Sequence, residues 1–314
     1  LWKFPKHRSY EWCCNCLQHL MGSSIISLGL GLGGGKAATA SGGASGGGGV
    51  FSNALSAAFD GTDDTIDCSI ATSLLASDFT TSIWVKFPQD AADADGAIFA
   101  QNYNASGKVG WRLYFNSTNG AGRGDLGVWV TSGASPQTYD EVINEVSLDL
   151  GDQTWNHLAW GRSSGTHFLY HNGSSVSVSR GYNTFDSSSS SFSDTSPAFK
   201  IFANVSSGDP VFAEGSCDEV AIWDSALTSA QITNIYKGEA SGGSGGTNGT
   251  AGDLATFSPE IWWRMGDGTG DNNSSGGSPA NGGAIGTIVN QGSSGSSNAT
   301  GANGVTFSNS IPEG

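Results

Sequence analysis

The chain has 314 residues, of which 48 are glycine, 10 tryptophan and 15 phenylalanine, and only 13% are charged. Its 28 acidic residues outnumber 13 basic ones, for a net charge of -15. A surface this acidic repels phosphate backbones and anionic headgroups, so nucleic acid binding and membrane insertion are not expected, whereas cations and solubility are favoured.

Residues 1–20 are basic and aromatic, carry Cys13-Cys14-Asn15-Cys16, and differ in composition from everything that follows. Because Met21-Gly22-Ser23-Ser24 reads as an ordinary start, residues 1–20 are expected to be a non-native leader read through in frame. A metal site from Cys13, Cys14, Cys16 and His19 is the alternative, and it lacks the paired C-x2-C spacing of structural zinc. Residues 21–49 form a Gly-rich flexible arm. Within it, Ile25–Leu32 is too short and too glycine-rich to span a membrane, leaving a weak signal-type apolar stretch or a docking arm, and Gly33–Gly49 is nearly pure Gly, Ala and Ser.

From Ala58 onward the pattern changes to short aromatic and β-branched runs separated by turn residues, as an all-β sandwich requires. Runs of this kind occur at Phe59–Ile66, Phe79–Lys86, Ala97–Ala100, Gly110–Phe115, Trp155–Trp160 and Phe168–Gly173. Cys217–Trp223 alternates as a strand. Thr228 is then a candidate N-cap with Gln231 three residues on, and Leu227, Ile232, Ile235 and Tyr236 keep near-helical spacing up to Gly238. No other window sustains a helical period. The roughly 190 residues of the middle region suffice for one sandwich with its own core.

Taken in order, the segments "FDGTDDTI", "FTTSIWVK", "WNHLAW", "FLYHNG" and "CDEVAIW" resemble the laminin-G-like jelly-roll domain shared with pentraxins and concanavalin-A-like lectins. The resemblance covers residues 50–238. It implies an antiparallel two-sheet jelly-roll sandwich with one short helix near the end of the domain, flanked by Gly/Ser-rich flexible segments. Residues 239–252 read as a linker. Residues 253–314 contain Ile261–Asp267 and Gly286–Gly292, which are similar to segments that precede the "FDG" strand in the family. This C-terminal segment is therefore read either as a partial repeat or as added strands at the sandwich edge. Asp271–Gly283 and Gly292–Gly304 are expected to be flexible.

Catalysis is not expected. Glycosidases of this sandwich place acids two residues apart on one strand, and no Glu-x-Asp-x-Glu occurs here. The nearest pairs, Asp218-Glu219 and Asp63-Asp64, are adjacent and should face opposite ways on a strand. In the stretch that resembles the family's hairpin, His157, His167 and His171 are read as ordinary strand residues facing solvent or a neighbouring turn rather than as a metal site, which would want a third ligand, with His157 and His171 as candidate cross-strand neighbours. The resemblance to pentraxins makes calcium the cofactor to ask about, and the corresponding loops offer Asn104, Asn204 and Asp209, a weak set with one carboxylate. Asp60, Asp63 and Asp64 are an alternative cation cluster, but they also cap their own turn through Asx-type bonds.

In the resembled fold, the strand after "FDG" and the strand before the helix lie close in one sheet, so Cys68 and Cys217 form either a disulfide or two buried free thiols. Trp111, Tyr114, Trp129 and Tyr139 offer either a sugar-stacking surface or core packing. By alternation Trp111 shares a face with Leu113 and Phe115, which leaves Arg112 and Tyr114 as ligand candidates beside Asn104, Asn204 and Asp209. The expected function is a non-enzymatic module that recognises a glycan or a surface protein, at an extracellular or virion surface. The glycine-rich start and the Trp262–Asp267 tail also resemble structural proteins of marine bacteriophages, which makes a virion appendage with other virion proteins as partners the alternative, ahead of a divergent glycosidase.

Overall fold

The structure, a computed structural model, describes residues 51–68, 70, 77–88, 96–101, 109–116, 124–132, 139–148, 150, 153–178, 199–204 and 211–314. Two units divide the chain, Leu1–Gly42 and Gly43–Gly314, and the first lies outside the described residues, as do the expectations for the leader and the arm.

The strands in chain order are β1 (Ser56–Asp60), β2 (Thr65–Cys68), β3 (Phe79–Lys86), β4 (Gly96–Gln101), β5 (Gly110–Asn116), β6 (Gly124–Thr131), β7 (Tyr139–Leu148), β8 (Asn156–Ser163) and β9 (Thr166–His171). They continue with β10 (Ser174–Val176), β11 (Phe199–Ile201), β12 (Ala203–Asn204), β13 (Val211–Phe212) and β14 (Glu214–Trp223). After the helix α1 (Ser229–Tyr236) come β15 (Ile261–Trp263), β16 (Thr287–Ile288), β17 (Ala299–Ala302) and β18 (Thr306–Ser308).

Two antiparallel sheets face each other. The first runs β10-β9-β8-β3-β14-β1-β18, with β15 also paired to β14; the second runs β16-β17-β2-β11-β4-β5-β6-β7. Between them the inward residues of both sheets interdigitate. Phe59 stacks on Phe202 at 4.4 Å, Phe87 meets Phe115 at 4.2 Å, and Trp111 meets Trp160 at 4.7 Å. The outer face of the first sheet is apolar too, and α1 covers it: Ile232 and Ile235 pack with Ala159, Ala221, Trp223, Leu254, Phe257 and Trp262 in a second cluster. That is why β3 is buried along nearly its whole length. The helix starts where the sequence places it, with Thr228 Oγ1 accepting from Gln231 N at 3.3 Å and Gln231 Oε1 accepting from Thr228 N at 2.9 Å. Among the described residues no helix is long and apolar enough to cross a membrane.

Residues 253–314 supply added strands, one of the two readings of this segment, and carry the sandwich past the expected boundary at Gly238: β15 pairs with β14, β18 with β1, and β17 with β2, so both sheets are extended. Trp263, Met265, Ile285, Ile288, Val305 and Phe307 sit in the main core. The stretches read as flexible are held by side-chain hydrogen bonds instead. Asp271 accepts from Gly266 N, Gly268 N and Val289 N, and Asn290 accepts from Trp262 N and Gly292 N. Carboxylates and amides that bond nearby backbone groups replace regular ladders where glycine and serine leave little side chain to bury.

Cys68 and Cys217 are free and buried. They lie on β2 and β14, in opposite sheets rather than in one, so the premise for pairing them fails at the level of topology. Burial raises both thiols well above the ordinary range; Asp67 and then Cys217 add to the shift at Cys68, and Asp218 adds to it at Cys217.

Candidate functional site

Strand β5 divides its side chains as alternation predicts. Trp111, Leu113 and Phe115 enter the core, while Arg112 and Tyr114 lie on the other face of the second sheet. The register carries that outer face across the sheet in one row: Thr300 opposite Asp67, Asp67 opposite Lys200, Lys200 opposite Ala100 and Ala100 opposite Arg112. Directly opposed residues of antiparallel strands share a face, so the row gathers charged residues that are distant in sequence. Lys200 Nζ donates to Asp67. The Arg112 guanidinium lies over the Tyr114 ring, 4.5 Å from its centroid. The ring itself lies against Gly127, where an added Cβ would stand 2.6 Å from three of its atoms. Glycine at 127 is therefore what lets Tyr114 lie flat on the sheet.

The remaining ligand candidates divide differently. Asn104 and Asp209 lie outside the described residues, and Asn204 is described only in its backbone, paired with Val211 in β12. The expected calcium loops therefore lie outside the described side chains. Asp60, Asp63 and Asp64 do converge, with one carboxylate oxygen from each within 4.8 Å of the others. Their oxygens serve the turn: Asp60 Oδ1 accepts from Thr62 N at 2.8 Å and Asp64 Oδ2 accepts from Asp60 N at 3.0 Å.

His157 and His167 are buried rather than facing solvent, whereas His171 is half-buried, its Nε2 2.7 Å from Asn156 Oδ1. His157 is fully buried, shares a 2.8 Å hydrogen bond between Nε2 and Ser82 Oγ, and packs between Trp84 and Tyr236 under α1. Burial, with His171 adding to it, lowers its pKa to about 3. His167 stacks on Trp160, and His171 pairs in register with Leu158 rather than with His157.

The adjacent acids Asp218 and Glu219 also depart from the alternation rule. A bulge in β14 opposite β3 falls between Asp218 and Ala221, and Glu219 takes a left-handed backbone with φ of 46°. A bulge spends an extra residue and resets which way the next side chain points. Both carboxyls end up inside, 0% and 1% exposed. They sit where the neighbour of β14 changes from β1, last paired at Cys217, to β15, first paired at Val220. Asp218 Oδ2 accepts from Asn53 Nδ2 at 2.8 Å; Glu219 accepts from the Trp262 indole N–H and, at 3.2 Å, from Arg264 Nε. Burial pushes both acids up, with Glu219 adding to the shift at Asp218. Glu219 reaches about 7 because Arg264 and the Trp262 hydrogen bond oppose the effect of burial. No surface-bound polysaccharide reaches acids so enclosed. Only the bulge, invisible to a periodicity reading, reveals the cluster.

Fold and register together define a jelly-roll sandwich. A family model described as the concanavalin A-like lectin/glucanases superfamily matches residues 60–233, and the chain belongs to that superfamily. No curated protein matches the sequence. Among solved structures, the native heptameric SAP-like pentraxin of Limulus polyphemus is similar at 18% identity over 58% of this chain and 82% of its own, with a TM-score of 0.39. The CBM40 of the Ruminococcus gnavus IT-sialidase is similar at 11% identity over 57% of this chain and 95% of its own, with a TM-score of 0.40. Domain 4 of an extracellular GH43 arabinanase of Geobacillus stearothermophilus, in complex with arabinotriose, shares 24% identity over 57% of this chain and 75% of its own, with a TM-score of 0.37.

Proposed function

We infer that the chain is a non-catalytic recognition module that binds a glycan through the outer face of its second sheet, at a cell or particle surface. The observation that carries this reading is the Arg112–Tyr114 pair on the face turned away from the core, 4.5 Å from guanidinium to ring centroid. Sugars bind through fixed polar donors as well as aromatic surface; the Tyr114 ring is only 2% exposed and serves to hold the half-buried Arg112 guanidinium in place, which makes Arg112 the group placed to meet a ligand. Membership in a superfamily of lectins and glucanases supports the choice of ligand class. The burial of Asp218 and Glu219 supports binding over hydrolysis, since a general acid must reach the glycosidic oxygen. The test is a broad glycan array with the intact chain, run with about 2 mM calcium and again with EDTA, a level that fills extracellular-type sites. Retention of defined glycans that is lost on Arg112→Ala supports the reading. Silence in both conditions, or binding that Arg112→Ala leaves unchanged, overturns it.

A further inference from the structure

The five residues that lead from the glycine-rich stretch into β1 are held one by one. The Arg264 guanidinium lies over the Phe51 ring at 4.5 Å, and its Nη2 donates to Ser52 O at 2.6 Å. Asn53 Nδ2 donates to Asp218, and Asp267 Oδ2 accepts from Ala54 N at 2.8 Å and Leu55 N at 2.9 Å. Every one of these grips comes from the β14 bulge or from the turn after β15. They depend on groups drawn from segments more than 160 residues away in sequence.

The charges in this grip do not balance. Asp218 and Glu219 on β14 and Asp267 and Asp271 after β15 face a single guanidinium, Arg264. Among the described residues, Cys217 is the remaining titratable neighbour on β14. β3 presents Trp84 opposite Asp218, and Phe51–Leu55 carries no titratable side chain. Buried carboxyls in excess of their cation hold a proton or separate. Asn53 Oδ1 is buried and without a hydrogen-bond partner, so a half-turn of that amide gives a protonated Asp218 an acceptor.

We propose that Asp218, Glu219, Arg264 and Asp267 form a proton-dependent latch that ties Phe51–Leu55, and with it the attachment point of the glycine-rich stretch, to the C-terminal segment. With a proton on Asp218, the grip on Asn53 is closed. Loss of the proton puts like charges side by side, and the segment lets go before the sandwich unfolds. The latch is independent of the glycan-binding face on the opposite sheet.

Hydrogen exchange of the intact chain, read by mass spectrometry from pH 6 to 9 and corrected for intrinsic exchange, tests it. Protection of the peptide containing Ala54 and Leu55 is expected to fall at least tenfold as pH rises, while β3 keeps its protection. Asp218→Asn, which keeps the shape and removes the charge, is expected to make the fall in that protection at least threefold smaller. Arg264→Gln is expected to release the segment at every pH. Equal loss in β3, or a pH response of the Ala54–Leu55 peptide identical in the wild type and Asp218→Asn, overturns the proposal.

Discussion

Arg264 Nε meets Glu219 Oε1 at 3.2 Å across 45 residues of sequence, with 13% of the arginine side chain and 1% of the glutamate exposed. The same guanidinium lies 5.1 Å from the Trp262 ring centroid, and the Trp262 indole donates to the same carboxylate, so one acid organises two side chains of the C-terminal segment. Removing one partner of a buried pair leaves an uncompensated charge. Arg264→Met is therefore expected to lower the unfolding free energy by about 3 kcal/mol or more. A urea midpoint shift worth less than about 1 kcal/mol would show that water reaches Glu219 and that the pair is a surface ornament.

Stability against pH should carry two opposing signatures. Glu219 rises from its ordinary 4.5 to about 7, so its contribution is complete below 4.5 and is lost as pH climbs through about 7; Asp218, also raised, acts in the same direction. His157 falls from 6.5 to about 3, so its contribution is complete above 6.5 and is lost as pH drops through about 3. Between 4.5 and 6.5 the two effects oppose each other. Replacing His157 by Asn should steepen the decline of stability with rising pH, and Glu219→Gln should make it shallower. Each change is up to about 1.4 kcal/mol per pH unit, the value of one proton. Chemical denaturation at several pH values measures the slopes, and slopes that neither substitution alters would place both groups in contact with solvent.

What the sequence discloses depends on how local the cause is. The α1 capping box is contained in four residues, Thr228 to Gln231, and is legible at once. The face assignment of Arg112 and Tyr114 needs only the two-residue period of a regular strand. Glu219 defeats the same rule, because a left-handed residue at a bulge depends on how β14 meets β3 rather than on its neighbours in sequence. The sheet assignment of Cys68 and Cys217 is likewise a question of long-range register. In residues 253–314 the strands span two to four residues among glycines and asparagines, too short for any period to show, and their order comes from single buried side chains and from Asp271 and Asn290.

That segment gives a direct test of where the sandwich ends. A fragment comprising residues 50–238 is expected to be soluble only poorly and to lack a cooperative thermal transition, whereas residues 50–314 unfold in one step. Without β15 and β18, half of the β14 edge and the whole β1 edge lose their partners, and apolar side chains such as Ile222 and Ala57 lose their cover. Trp263→Ala in the complete chain should cost about 3 to 5 kcal/mol, since the indole is fully buried and its N–H donates to Ser297 O at 2.8 Å. A cooperative fold for the shorter fragment would return the C-terminal segment to the role of an appendage.

Gly127 offers the sharpest probe of the outer face, because it alters Tyr114 without touching it. An alanine methyl at 127 would stand 2.6 Å from the ring carbons and hydroxyl of Tyr114, so the ring must lift off the sheet and carry the Arg112 guanidinium with it. Overpacking of this kind costs about 1 to 3 kcal/mol, which a sandwich with two apolar layers should survive. Gly127→Ala is therefore expected to keep the cooperative transition and to weaken glycan retention at least tenfold, matching Arg112→Ala. Binding that survives Gly127→Ala while the melting temperature drops would assign Tyr114 to sheet packing alone and move the ligand elsewhere on the molecule.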